Sequence, residues 1–304
     1  MELWIWATLA ATVFQTIRFA LQKHLSTTTL TTAGATFARF AYSAPLLAVA
    51  LALWLAATHT GLPQVTGRFW AMGAIGGAAQ ILATLCVVAL FKTRNFAVGI
   101  TFKKTEVVQA ALVGWIVLGE GVSPLGLAAI FIGLIGVLAL SKPPQQGASA
   151  GRSFGAGLLS RASALGLASG LLFAVSGVTY RAATLDVASD APLLRAAVTL
   201  SAVTLMQFAA MSLWLRLFER GQISAVWAAR RKALWIGLMS LGGSYGWFIA
   251  FTLQTAAYVK ALGQIELILS LLVSVFVFRE RTGLREAAGM ALIVASVLLL
   301  VLAT

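Results

Sequence analysis

The chain has 304 residues, of which 60% are apolar and only 10% are charged, and its mean hydropathy is +0.93. Soluble domains usually carry about 25% charged residues, so these proportions exclude a soluble globular domain and predict an all-α, multi-pass membrane protein. The net charge of +13 does not predict a nucleic-acid partner, because Lys and Arg in membrane proteins mostly set orientation and contact lipid head groups.

Apolar segments of about 20 residues, the length that spans a bilayer as a helix, recur along the whole chain. Breaker residues separate them, and Pro124 and Pro192 each mark a predicted helix start. The sequence thus predicts ten transmembrane helices, at residues 3–22, 31–55, 70–91, 96–118, 122–140, 160–180, 192–217, 233–254, 256–278 and 283–303.

Residues 141–158 form the longest polar gap, and their Pro, Gly, Ser and Gln content is typical of a flexible linker. This linker divides the chain into two five-helix halves, 1–140 and 159–304. An odd number of spans in each half means that the second half enters the membrane from the opposite side. The predicted architecture is therefore two inverted five-helix repeats, which is common among secondary transporters.

The two halves resemble each other when the chain is shifted by 160 residues. Residues 95–120 then align without a gap with residues 255–280, so that Glu106 falls on Glu266. Each glutamate lies about ten residues into its span, roughly 15 Å deep at 1.5 Å per residue. We therefore expect both carboxylates at the middle of the membrane, facing one central space.

The segment around Glu106 is unusually polar for a transmembrane helix. Lys103 and Glu106 are three residues apart and share a helix face, so the sequence predicts an ion pair between them. Lys104 points elsewhere and has two interpretations, a pathway residue or a side chain that extends to the membrane surface. Ionisable residues inside the bilayer usually mark a pathway, although a purely structural ion pair is the alternative for both glutamates.

Other polar or aromatic residues inside the predicted spans are further candidates for the pathway. Arg39 lies deep in the second span, whereas Arg18, Arg195 and Lys260 lie close enough to span ends to be interpreted as interfacial anchors. The complete set of candidate substrate or proton pathway residues is Glu106, Glu266, Lys103, Arg39, Lys104, Gln109, Gln80, Gln264, Tyr245, Trp247, Tyr258 and Gln15.

Enzymatic and metal-binding motifs are missing from the sequence. The single cysteine, Cys86, excludes an internal disulfide, and the sequence contains no Cys/His cluster, no P-loop and no Gly-x-Ser-x-Gly motif. We therefore predict no enzymatic activity and no cofactor. Energy for transport would come from a gradient, and protons are a candidate coupling ion because carboxyl groups such as Glu106 can carry them.

The loop charges favour one orientation of the chain. Most basic loop residues follow odd-numbered spans, whereas the loops after even-numbered spans hold Arg68 and Arg181. The positive-inside rule then places the odd loops in the cytoplasm and both termini outside.

Each half carries a polar fourth span, then a Gly-Glu or Arg-Glu pair, at 119–120 and 279–280, then an apolar fifth span. In this pattern the chain resembles the drug/metabolite transporter superfamily, in its EamA-domain branch. The resemblance implies a central cavity, alternating access and export of metabolites or xenobiotics. Members are often drawn with cytoplasmic termini, opposite to the charge count, so both orientations stay open.

The surplus of basic residues within the spans favours anionic ligands. We expect a secondary transporter of the cell inner membrane, a monomer or weak homodimer, that exports small carboxylate-bearing metabolites such as amino acids. Two alternatives stay open. A multidrug exporter would use aromatic residues such as Tyr245, Trp247 and Tyr258 in its cavity, and a non-transporting membrane sensor would pair its polar groups with one another.

Overall fold

A computed structural model of the chain describes residues 2–90, 102–140, 161–268 and 284–303. These residues form helices and, within the described ranges, no strand. The helices are α1 (Leu3–Thr28), α2 (Thr32–Thr58), α3 (Gly67–Leu90), α4 (Glu106–Leu118), α5 (Pro124–Leu140), α6 (Arg161–Leu185), α7 (Pro192–Phe218), α8 (Gln222–Ala228), α9 (Arg230–Leu253), α10 (Ala256–Leu262) and α11 (Leu284–Leu302). The predicted linker 141–158 and the Arg279–Glu280 pair lie outside the described residues.

Six of these helices, α1, α2, α3, α6, α7 and α9, are long and apolar enough to cross a membrane. Large apolar side chains cover much of the outer surface, and Ile116 and Leu213, for example, are 67% and 60% exposed. Such a surface is unfavourable in water and suits lipid contact. The structure thus has the character of a multi-pass membrane protein.

Proline fixes two of the helix starts as predicted, since α5 begins at Pro124 and α7 begins at Pro192. At the N-terminus of α2, Thr31 caps the helix by accepting a hydrogen bond from the Gly34 amide at 3.0 Å.

One helix was not predicted. The short helix α8 lies in the connection between α7 and α9, which is too polar to register as a span, and Gln222 at its start binds Thr31.

Two predicted spans, 96–118 and 256–278, depart from regular α-helix close to their middle, in the parts of them that the structure describes. In the first, residues 104 and 105 form a turn and α4 begins only at Glu106. The Thr105 hydroxyl donates to the Phe102 carbonyl at 2.7 Å and so replaces a helical hydrogen bond. In the second, α10 ends at Leu262, a tight turn spans Gly263–Ile265, and helical backbone resumes at Glu266.

The helices pack mostly between the two halves of the chain. Extensive contacts join α3 to α6, α1 to α9, α5 to α11 and α2 to α7, and α4 also packs against α6. Under the 160-residue shift, α1 corresponds to α6 and α3 to α9. The α3–α6 and α1–α9 contacts therefore exchange with each other, while the α5–α11 and α2–α7 contacts each map onto themselves. The largest apolar cluster combines both halves, with Trp4, Val107, Val178 and Phe248 among its buried members.

Gly170 allows the interrupted segment before α4 to lie directly against α6. A Cβ atom at this position would be 2.9 Å from the Lys103 carbonyl oxygen and 2.8 Å from the Gln109 Oε1 atom. Since the carbonyl belongs to the backbone, the segment has to move to accommodate a methyl group. The absence of a side chain at Gly170 therefore helps to position the Lys103–Glu106 turn.

We expect Gly170→Ala to destabilise the fold by about 1–3 kcal/mol, the usual cost of overpacking a well-packed interior. A thermal unfolding measurement on purified protein in detergent checks this value. Gly61→Ala is the matched control, because a Cβ atom there meets nothing within 4 Å. Equal melting temperatures for the two variants would contradict the packing described here.

Candidate functional site: a buried charged cluster and a polar cavity

The two helix interruptions lie immediately before Glu106 and Glu266. Glu106 is the first residue of α4, and Glu266 directly follows the Gly263–Ile265 turn. The N-terminal end of a helix carries a partial positive charge that stabilises a carboxylate. The N-terminus of α4 therefore favours an anion at Glu106, the residue that the sequence alignment pairs with Glu266.

Two ion pairs form around these carboxylates. Lys103 Nζ lies 3.7 Å from Glu106 Oε2, as the three-residue spacing predicts, and Lys104 Nζ lies 3.5 Å from Glu266 Oε2. Lys103 and Lys104 are only 4% and 3% exposed. The interpretation of Lys104 as a residue that extends to the membrane surface is therefore wrong, because its ammonium group pairs with the other half of the chain.

A short hydrogen-bonded chain leads from Glu266 toward the centre of the protein. Gln15 in α1 donates from Nε2 to Glu266 Oε2 at 3.2 Å, and it accepts at Oε1 from the Trp247 indole, also at 3.2 Å. Gln15 and Trp247 both line the cavity described below. Gln15 and Trp247, both predicted site residues, thus connect the Lys104–Glu266 ion pair to that cavity.

Arg39 is buried on α2, and hydroxyl groups surround its guanidinium group. Its Nε donates to Ser240 at 2.9 Å, its Nη2 to Ser244 at 3.0 Å and its Nη1 to Thr84 at 3.4 Å. None of the carboxylates in the described part of the chain lies within 4 Å of it. Arg39 is therefore a cation whose hydrogen-bond partners among the described residues are all neutral.

Lys260 on α10 is not the interfacial anchor that its sequence position indicated. Its ammonium group lines the central cavity and forms neither an ion pair nor a hydrogen bond with a described residue. Three aromatic ring centroids lie between 5.2 and 5.8 Å from its Nζ, those of Phe173, Trp247 and Phe251. These distances are typical of cation–π contacts, which offset only part of the cost of burying the charge.

A cavity lies between α1, α2, α3, α6, α9 and α10 and contains both of these cations. Its lining residues are Gln15, Arg39, Gln80, Phe173, Ser176, Gly177, Tyr180, Ser244, Trp247, Phe248, Phe251 and Lys260. The space that a water-sized molecule can occupy is about 20 Å³, enough for one water molecule. In this conformation the cavity is thus closed around a volume much smaller than a metabolite.

Gln80 belongs to a second hydrogen-bonded group at the wall of the cavity. Its Oε1 accepts from the Tyr180 hydroxyl at 3.1 Å and from Gln207 Nε2 at 2.9 Å. Gln207 also donates to the Gly77 carbonyl at 3.0 Å. This group joins α3, α6 and α7 and holds Gln80 and Tyr180 in place beside Arg39.

The remaining predicted residues lie outside the cavity lining. Tyr245 borders a separate apolar groove of about 310 Å³ formed mainly by α2 and α7, and its hydroxyl donates to the Leu193 carbonyl. Tyr258 bonds to Ser123 at the start of α5. Gln109 and Gln264 each have an Oε1 atom that is buried and accepts no hydrogen bond, Gln109 beside Gly170 and Gln264 in the turn before Glu266.

Sequence reasoning missed several residues of this site. Phe173, Ser176, Tyr180 and the hydroxyl partners of Arg39 look like ordinary helix residues in the sequence. The only available signal was the small polar character of Ser240 and Ser244, four residues apart in an apolar helix, which places both on one helix face. That spacing would have identified a polar stripe on α9, but it would not have shown that Arg39 binds this stripe.

A second ion pair between the halves lies where α4, α6 and α9 end. Arg181 Nε donates to Glu120 Oε1 at 2.6 Å, and Arg181 Nη1 donates to the Phe251 carbonyl at 2.8 Å. Both side chains are largely buried, at 13% and 21% exposure. Arg181 thereby connects the C-terminal ends of three helices at one end of the bundle.

We expect Glu120→Gln to lower the stability of this closed arrangement by about 1.5–3 kcal/mol, the usual value of a hydrogen bond to a charged group. Thermal unfolding in detergent measures the change. The exchanged pair Glu120→Arg with Arg181→Glu should recover part of the loss because it restores opposite charges. A Glu120→Gln variant as stable as the parent would show that the contact contributes nothing.

Comparison with known proteins identifies the fold but no family. No family model matches the chain, and no curated protein matches it. One of 29 matching chains from solved structures, described only as the crystal structure of a protein, aligns with a TM-score of 0.64 at 20% identity. The alignment covers 97% of this chain and 99% of that one, so the whole helical arrangement is similar to a fold already seen by experiment.

Proposed function

We propose that the chain is a secondary transporter of small polar metabolites that bear a carboxylate, and that it exports them across the inner membrane. The observation that carries this proposal is Arg39, a buried and uncompensated cation that faces a polar cavity. A buried charge without a counter-ion is costly, and a substrate carboxylate in the cavity would supply that counter-ion.

Alternating access would come from two inverted five-helix halves. The 160-residue correspondence, the matching interruptions before Glu106 and Glu266, and the symmetric set of helix contacts all support this arrangement. Interrupted helices near the membrane middle are typical of transport sites, since they expose helix ends to the substrate and its coupling ion. The closed cavity and the Arg181–Glu120 pair are consistent with an occluded conformation.

Glu106 and Glu266 are the proposed coupling residues. Each is paired with a lysine, so protonation of the carboxylate or approach of an anionic substrate to the lysine would break the pair. Loss of the Lys104–Glu266 pair would release a contact between the halves, whereas loss of the Lys103–Glu106 pair would free the segment before α4. The substrate's movement would thus be connected to movement of the halves.

The multidrug alternative finds less support in this arrangement. Of the three aromatic residues that it invoked, only Trp247 lines the central cavity. An organic cation in that cavity would meet Arg39 and Lys260 and would be repelled by both. Three of the aromatic rings that line the cavity, those of Phe173, Trp247 and Phe251, already contact the Lys260 ammonium group.

Substrate flux tests the proposed function directly. The protein is reconstituted in proteoliposomes, and counterflow of labelled carboxylates and amino acids is measured with and without a proton gradient. We expect saturable flux of at least one carboxylate-bearing compound, and none of organic cations. Flux of organic cations alone would favour the multidrug exporter, and absence of any flux would favour a membrane sensor.

A further inference from the structure

Among the residues that the structure describes, the buried cations outnumber their paired carboxylates, and two of the unpaired cations line the cavity. Five cations are buried or partly buried near the centre, and two of them, Lys103 and Lys104, have a carboxylate within 4 Å. The other three have none within the described part of the chain. They are Arg18, Arg39 and Lys260.

Arg18 differs from the other two because it is satisfied away from the cavity. Its Nη1 donates to Gln22 Oε1 at 2.6 Å, its guanidinium group lies over the Phe19 ring, and it does not line the cavity. Among the described residues, the cavity therefore contains two cations with no carboxylate within 4 Å, Arg39 and Lys260.

These two cations belong to different parts of the cavity wall. Arg39 extends from α2 and is fixed by hydroxyl groups of α3 and α9, whereas Lys260 extends from α10 and contacts aromatic rings of α6 and α9. The two sets of partners have no residue in common. A single carboxylate bound at one cation therefore leaves the other without a directly paired anion.

Gly177 provides the space in which the Lys260 side chain reaches the cavity. A Cβ atom at Gly177 would be 3.4 Å from Lys260 Cε and 3.2 Å from Phe251 Cζ, so a larger residue would press on both. Lys260 Nζ, in contrast, lies beside three aromatic rings and donates no hydrogen bond to a described residue. Its position suits an anionic group that enters from the cavity.

We propose that the cavity binds a small molecule with two separated anionic groups, one at Arg39 and one at Lys260, of which a dicarboxylate is the simplest. This inference rests on the proposed function and narrows its substrate class. Gln15, Gln80 and Ser176 line the same cavity as polar residues, and Phe248 and Trp247 add apolar surface to it.

The test compares dicarboxylates of three to six carbons with monocarboxylates of the same length. Dissociation constants are measured by thermal shift and counterflow competition on the full-length protein at constant ionic strength. We expect at least one dicarboxylate to bind about 10-fold or more tightly than its monocarboxylate partner, the size expected for one added charge-assisted contact.

Lys260→Met and Lys260→Gln should each reduce this preference to nearly one, whereas Lys232→Met, which changes an exposed lysine, should leave it unchanged. A wild-type protein that binds both series equally, or a Lys260 variant that keeps the preference, would overturn the inference while leaving carboxylate transport intact. Absence of binding and flux for every carboxylate would instead refute the proposed function itself.

Discussion

Replacing Glu106 with Gln should abolish transport, with a loss of at least about 100-fold in flux, while the protein still inserts into the membrane. The change removes the carboxylate that pairs with Lys103 and leaves a lysine that is 4% exposed without its partner. Removing one member of a buried pair typically costs about 3–5 kcal/mol. Counterflow in proteoliposomes measures the flux, and thermal unfolding measures the loss of stability.

A double variant separates these two effects. Lys103→Met with Glu106→Gln removes both charges, so its stability should return toward that of the parent while its flux stays low. Asp190→Asn is the control for a neutralised carboxyl group, because Asp190 is exposed and far in sequence from the cluster. Normal flux in the Glu106→Gln variant would exclude this carboxylate from the mechanism.

Replacing Arg39 with Lys should weaken carboxylate binding by about 10- to 100-fold although the formal charge is kept. The guanidinium group makes three hydrogen bonds at once, to Ser240, Ser244 and Thr84, and an ammonium group cannot reproduce that planar geometry. The lysine would therefore move from its position in the cavity wall. Counterflow measured over a range of substrate concentrations gives the change in affinity.

Arg231→Lys is the matched control for the Arg39 experiment, since Arg231 is exposed at the start of α9. A further variant, Arg39→Met, should bind more weakly still because it also removes the charge. If Arg39→Lys transports with the affinity of the parent protein, the three hydroxyl contacts have no part in positioning the charge for substrate.

The sequence predicts those features that depend on local spacing. Pro124 and Pro192 mark helix starts because proline fits only the first turn, and the Lys103–Glu106 pair follows from three-residue spacing. The depth of Arg39 likewise follows from counting residues along an apolar segment. These inferences require only the geometry of one helix.

Features that depend on contacts between helices could not be predicted in the same way. Lys104 and Glu266 are distant in sequence, and their pairing depends on two helix interruptions that hydropathy does not reveal. Lys260 was placed near a membrane surface, but its side chain runs past Gly177 into the cavity. Tyr245 and Tyr258 could not be distinguished from Trp247, because apolar periodicity does not show which face of a membrane helix borders the cavity.

The most direct test of the account is the accessibility of Ser176, a cavity residue that is 2% exposed, from the two sides of the membrane. Cys86 is the only cysteine, so Cys86→Ala with Ser176→Cys gives one reporter thiol for a membrane-impermeant reagent. Alternating access predicts that the reagent labels this thiol from either side, and that a transported carboxylate slows labelling from both. Labelling from one side only under every condition, or from neither, would contradict the account.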